Sequence, residues 1–230
     1  MNNTAPKRRR QNLGYAIGIT VGLVCLGILL APSQEKLHVR GPMNTGHEEF
    51  KCTSCHKPAR GTLRQQLQAN VRYLLGLRET AADFGQRDVT SEICLECHDR
   101  PKDRHPVYRF LEPRFAKARA NLQPQFCISC HLEHHGRRVT RREIGYCVNC
   151  HKDTKLKNDP ITIPHADLIT AERWESCLGC HDFHGNHVMK TKTVVKEAFT
   201  PEQIRIYFEG GPSPYPKTLY YKAKKETTDG

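Results

Sequence analysis

The chain has 230 residues, with 36 Lys plus Arg against 24 Asp plus Glu, a formal net charge of +12, and only 7% aromatic residues. That length allows one or two modest domains. The apolar residues are concentrated in one N-terminal run, so the remainder is too poor in them to build a large core from side chains alone and calls for staples, metals or bulky apolar cofactors.

Residues 1–11 form a basic N-terminus carrying Lys7, Arg8, Arg9 and Arg10, and residues 12–31 form an apolar run with no charge between Leu13 and Ala31. A bilayer-crossing helix needs roughly 20 apolar residues, which this run supplies. The basic cluster predicts a cytoplasmic N-terminus, with the rest of the chain outside the bacterial inner membrane as a single-pass protein. A cleaved signal peptide is the rival reading. Against it, the run ends Leu29-Leu30-Ala31-Pro32 with no Ala-x-Ala site. Cys25 reads as a small apolar residue of the span. Gly14, Gly18 and Gly22 suit either a helix-pairing face or a glycine-tolerant span.

Residues 32–46, with Pro32 and Pro42, read as a linker, residues 47–189 as the main domain and residues 190–230 as a basic tail. The main domain holds ten of the eleven cysteines in five motifs of one form: Cys52-Thr53-Ser54-Cys55-His56, Cys94-Leu95-Glu96-Cys97-His98, Cys127-Ile128-Ser129-Cys130-His131, Cys147-Val148-Asn149-Cys150-His151 and Cys177-Leu178-Gly179-Cys180-His181. Thr62 and Gln65 predict a capping box. It opens a helix with a stripe of Leu63, Leu67, Val71, Leu74 and Leu75 that ends near Gly85. The stripe packs on a cofactor or the core, or lies on the membrane surface. Thr90-Ser91-Glu92, Thr140 with Glu143, and Thr170 with Glu172 read as helix starts ahead of three motifs, and Thr200-Pro201-Glu202 as the start of a short one. No alternating strand pattern occurs, so the expected fold is mostly α with long loops.

Cysteines three apart sit on one side of a helical turn, where they can form thioethers to the two vinyl groups of a porphyrin. The following histidine then ligates the iron, so Cys-x-x-Cys-His is the signature of c-type haem attachment. Zinc sites also use cysteine pairs. Zinc, however, gives no reason for a histidine at the same offset five times, and disulfides give none either. The expected cofactors are five covalently attached c haems, ligated by His56, His98, His131, His151 and His181 and filling the core of the domain.

The sixth position of each iron sets its chemistry: a second imidazole makes an electron carrier, a methionine raises the potential, and an open position binds substrate. Eight further histidines and two internal methionines, Met43 and Met189, are available. His47, His105 and His165 are candidate distal ligands, with one of His134 and His135 and one of His184 and His187. Adjacent side chains diverge, so neighbours do not share one iron. His38 is a further candidate, nearer the span.

The charge alone suggests nucleic acid. Five haems, each adding roughly −1 when oxidised, would bring the total to about +7, so no nucleic-acid partner is expected. Arg114, Lys117 and Arg119, and Arg137, Arg138, Arg141 and Arg142, read as solvated faces or partners of haem propionates.

With its five motifs and N-terminal span, the chain resembles multihaem cytochromes c of the class III and NapC/NirT/NrfB kind. The segment His131-Leu132-Glu133-His134-His135 resembles the class III pattern of a distal histidine soon after a motif. The resemblance implies an electron carrier taking electrons from membrane quinol or a membrane dehydrogenase and passing them to a periplasmic redox protein or reductase. The anchored quinol dehydrogenases of this kind usually carry four haems, and the pentahaem carrier lacks an anchor, so quinol oxidation does not follow from the resemblance. The alternative is a multihaem reductase of nitrogen or sulfur oxyanions with one open iron.

Overall fold

The structure is a computed structural model that describes residues 4–31, 39–100 and 102–217. It is mostly helical and contains no strand among the described residues, only two isolated bridges, Pro58 to Gln86 and Phe84 to Gln86. The chain divides into two compact units, Met1–Pro42 and Met43–Gly230.

The first unit holds one helix, α1 (Thr4–Leu30). It begins at Thr4, ahead of the basic cluster and not at residue 12, because Lys, Arg and Gln are good helix formers and continue the apolar run backwards without a break. Its segment Arg8–Leu29 is long and apolar enough to cross a membrane, and none of it is buried within the protein. His38 lies outside the described residues.

The second unit contains α2 (Cys52–Cys55), α3 (Leu63–Leu74), α4 (Ser91–His98), α5 (Ala116–Leu122), α6 (Val148–His151), α7 (His165–Thr170) and α8 (Pro201–Phe208), joined by short 3-10 turns and long loops. Its apolar core is small: Ile144, Leu178, Ile204, Phe208 and Tyr215, with Val139, Tyr146, Phe183, Met189, Phe199 and Tyr207 packed around them. The segment expected as a basic tail from residue 190 therefore belongs to the folded unit, supplying Ile204, Phe208 and Tyr215. Helix α8 starts at a capping box between Thr200 and Gln203 with Pro201 at its first turn, where a missing N–H costs nothing. It packs on the Trp174–Gly179 turn, which holds the fifth cysteine motif.

The upstream boundary also moves. Asn44, expected in the linker, is buried. Its N–H donates to Glu133 Oε1 at 2.6 Å, its Nδ2 to the Leu132 carbonyl at 2.9 Å, and its Oδ1 accepts from the His135 N–H at 3.0 Å. These bonds stitch residue 44 to the segment after the third motif.

The Thr62–Gln65 capping box forms as expected. Helix α3 ends at Leu74, well short of Gly85, and its leucine stripe does not pack on the core: Leu63, Leu67 and Leu74 are 63%, 56% and 81% exposed. No helix starts at Thr140. Its hydroxyl donates to the Cys130 carbonyl and accepts from the Leu132 N–H, both at 2.9 Å, so it braces the third motif. Thr170 ends α7 instead of opening a helix, its hydroxyl bonded back to the Ala166 carbonyl at 2.8 Å.

Within the fifth motif, Gly179 lies against the Phe199 backbone, whose N–H donates to the Gly179 carbonyl at 3.1 Å. A Cβ at this position would collide with the Phe199 carbonyl oxygen. Gly179→Ala should therefore destabilise the fold by separating α8 from the fifth motif, and Ile204→Ala should cost about 2–5 kcal/mol, as expected for a fully buried isoleucine. Chemical denaturation of the two variants checks both.

Candidate functional site: five facing histidine pairs

Each cysteine motif is one helical or 3-10 turn. In four of them the histidine N–H closes the turn on the carbonyl of the first cysteine at 2.9 Å: His56 on Cys52, His131 on Cys127, His151 on Cys147 and His181 on Cys177. The remaining motif lies inside α4. This turn puts both thiols and the imidazole of a motif on one local frame.

Each of the five motif histidines faces one histidine from elsewhere in the chain. The ring centres of His56 and His134, His131 and His184, His151 and His105, and His181 and His165 are each 6.2 Å apart, and those of His98 and His47 are 5.9 Å apart. Two imidazoles in direct contact would stand closer. A metal–imidazole bond of about 2.0–2.1 Å, plus about 1.1 Å from ring nitrogen to ring centre, places two axial imidazoles of one ion about 6.2–6.4 Å apart. Rotation about that axis is free, so interplanar angles from 20° to 84° are compatible with it.

Hydrogen bonds set the tautomer of most of these rings. His47 Nδ1 donates to Glu133 Oε2 at 2.9 Å, His165 Nδ1 to Asp159 Oδ1 at 2.9 Å, and His184 Nδ1 to Asp103 at 3.2 Å. His105 Nδ1 donates to the Phe183 carbonyl at 2.5 Å and His131 Nδ1 to the Arg138 carbonyl at 2.9 Å. A bond donated from Nδ1 leaves Nε2 as the free lone pair, and a carboxylate acceptor raises its basicity. Burial pushes His98 down to about 4 and lowers His105, His131 and His181 as well, which keeps these rings neutral; His47 is instead raised, by its bond to Glu133.

Asp103, Glu133 and Asp159 were not singled out as site residues from the sequence. Asp103 and Asp159 stand two and six positions before His105 and His165, which they hold, a proximity legible in the sequence; Glu133 reaches His47 across 86 positions, which no local pattern signals. Asp103 holds two sites at once: its Oδ1 accepts the His105 N–H at 2.8 Å while the carboxylate accepts from His184.

Within each pair of alternatives the second histidine is placed differently from the first. His187 is buried with both ring nitrogens occupied: Nδ1 donates to Asp182 Oδ2 at 3.0 Å, and Nε2 meets the Tyr207 hydroxyl at 3.2 Å. Its ring stacks on Tyr215 at 4.2 Å, so it serves the apolar core. His135 gives its backbone N–H to Asn44, and its ring faces no other histidine ring among the described residues. Met189 packs on the core.

The arginine clusters also prove partly internal. Arg119 donates to the carbonyls of Phe110 and Glu112 at 2.6 and 2.9 Å, and Arg138 to those of Tyr207 and Gly211 while lying over the Tyr207 ring. Arg137 pairs with Glu209 at 3.0 Å.

The residues fit a c haem. No group of three or more His, Cys, Asp or Glu assembles among the described residues to hold a metal alone, so a four-donor zinc site is not built. Each histidine pair brings two imidazoles together without further His, Cys, Asp or Glu donors, which suits a group that supplies most of its own metal ligands. No disulfide forms among the described residues. The buried Arg87 Nε meets no acceptor among the described residues and suits a carboxylate from outside the chain.

Neighbouring sites touch. Cys55 of the first motif senses Cys97 of the second. The Cys94 and Cys127 thiols interact, as do Cys147 and Cys177, which raises the first of each pair and lowers the second. His105 of the fourth site stacks on Phe183 at 4.2 Å, and the next residue, His184, belongs to the third site.

Comparison with family models, curated proteins and solved structures finds no match to this chain. The pairing predicts that, in protein loaded with haem, His184→Ala converts one site of five from low-spin to high-spin in electron paramagnetic resonance. His187→Ala should leave all five spin states unchanged and lower only the thermal midpoint.

Proposed function

We propose that this chain is a membrane-anchored multihaem cytochrome c, with five covalently attached haems on the periplasmic side of the inner membrane, and that it relays electrons. The supporting observation is the pairing of every motif histidine with one other histidine at a ring-centre separation of 5.9–6.2 Å, close to that of two imidazoles on either side of one ion. When bound, each haem would supply one-electron iron chemistry at a potential set by its ligands.

The chain's own residues divide the work. The ten motif cysteines would carry the thioether bonds. His56, His98, His131, His151 and His181 would ligate from one side, and His134, His47, His184, His105 and His165 respectively from the other. Glu133, Asp159 and Asp103 fix three of the second set and strengthen their donation. The contacts between neighbouring motifs hold the sites in a continuous series, the arrangement a relay needs. The span in α1 would keep this series at the membrane, within reach of quinol or a membrane dehydrogenase, with a periplasmic redox protein as acceptor.

A relay is favoured over an oxyanion reductase because each motif histidine is matched by a second imidazole, so both protein ligands of each haem would come from the chain. Two imidazoles per site leave no place for substrate without losing a ligand.

Intact mass of the mature protein should exceed the polypeptide by five haems, and the reduced form should absorb near 550 nm, approximately where bis-histidine c haem does. A mass lower by pairs of hydrogens would instead indicate disulfides at Cys94–Cys127 and Cys147–Cys177 and overturn the reading. Because the apolar core is so small, a variant with all ten motif cysteines replaced by Ala should lose most of its helical circular dichroism.

A further inference from the structure

Between the first and second motifs the chain makes a closed excursion. Its base is tied where the Ala59 N–H donates to the Gly85 carbonyl at 3.0 Å and the Arg87 N–H to the Lys57 carbonyl at 2.9 Å. Helix α3 is held in this finger by polar side chains. Gln66, buried, donates to the Gly61 carbonyl at 3.0 Å and accepts from the Gly85 N–H at 2.9 Å. Asn70 donates to the Ala82 carbonyl and accepts from the Ala82 N–H, at 2.9 and 3.1 Å.

The helix thus attaches by amides and leaves its apolar stripe uncovered. Leu63, Leu67, Val71 and Leu74 lie on one face, followed by Leu75 and Leu77, and all six are exposed. From Leu63 to Leu74 the stripe runs about 16 Å along the axis, and no other helix among the described residues packs extensively on α3. A stripe this long is uncommon on a surface that faces only water.

Its charge surroundings indicate the occupant. Residues 60–78 contain Arg60, Arg64, Arg72 and Arg78 and no acidic residue; the finger's only acids, Glu79 and Asp83, come after them. Exposed leucines flanked by arginines match an anionic lipid surface, where the leucines enter the acyl boundary and the guanidinium groups meet phosphate. The chain also carries a segment able to cross a bilayer. Only residues 31–42 separate α1 from the second unit, a covalent reach of at most about 40 Å.

We propose that α3 is an interfacial helix that lays its leucine stripe into an anionic phospholipid leaflet, giving the second unit a contact with the membrane besides α1. This rests on the membrane-anchor reading and not on the haem reading.

The test uses the full chain in vesicles of phosphatidylcholine with roughly a third phosphatidylglycerol, doped with a phospholipid bearing a diazirine on its acyl chain. After irradiation, mass spectrometry should find lipid adducts both in Arg8–Leu29 and in residues 63–77. Leu67→Glu combined with Leu74→Glu should lower the adducts in residues 63–77 by about tenfold or more and leave those in the span unchanged. Both positions are exposed, and labelling of the unaltered chain is informative without the variant. Adducts in the span with none in residues 63–77 would overturn the proposal. So would residues 63–77 cross-linking to a second copy in place of lipid. Absence of adducts from both segments would show the anchor reading itself to be wrong.

Discussion

Each motif histidine stands 5.9–6.2 Å, ring centre to ring centre, from one other histidine, close to the spacing of two imidazoles on opposite sides of one ion. Five such separations recur in this chain, and the rest of the second unit is organised to maintain them. Short turns fix one histidine of each pair. Carboxylates and carbonyls bonded to Nδ1 fix most of the others. Asn44 and Thr140 brace the backbone next to His134 and His131, and Asp103 secures the third and fourth sites together. Helical structure is accordingly brief and local, because its task is to present a ligand and not to bury a face.

This arrangement accounts for the thinness of the side-chain core. Ile144, Leu178, Ile204, Phe208 and Tyr215 make one modest cluster, beside the fifth motif. Under the proposed function the other four motifs would be packed by their haems, and folding would be coupled to haem attachment as it is to metal in small metal-bound domains. The same economy explains α3. A helix held by Gln66 and Asn70 needs no apolar support from the unit, so its leucines are left for another surface, while the segment of α1 long and apolar enough to cross a membrane is likewise not buried within the protein.

The site contacts also give the charged residues distinct roles. Of the arginines that looked like a solvated or anion-facing patch, Arg119 and Arg138 are clamps on backbone carbonyls, and Arg137 is paired with Glu209. Such internal use of guanidinium groups, each able to serve several carbonyls at once, suits a fold rich in loops, where many carbonyls have no helical partner.

The sequence by itself determined the five motifs, the apolar span, the helical character and the pool of histidines. Each of these depends on local spacing or composition: Cys-x-x-Cys-His is one turn, an uninterrupted apolar run is one helix, and the Thr62 and Thr200 capping boxes lie within four residues. Only the tertiary structure decided which histidine faces which, because His47 with His98, His105 with His151 and His131 with His184 are joined across tens of residues by a chain path that no local pattern encodes. It also separated His134 from His135 and His184 from His187, neighbours alike in composition but directed differently by Asn44, Asp103 and the Asp182–Tyr207 pair. The same holds for Thr140 and for the C-terminal segment. A threonine before an acidic residue caps a helix only when no nearer carbonyl claims its hydroxyl, and a basic stretch becomes core when its few apolar residues, Ile204, Phe208 and Tyr215, find one cluster to enter.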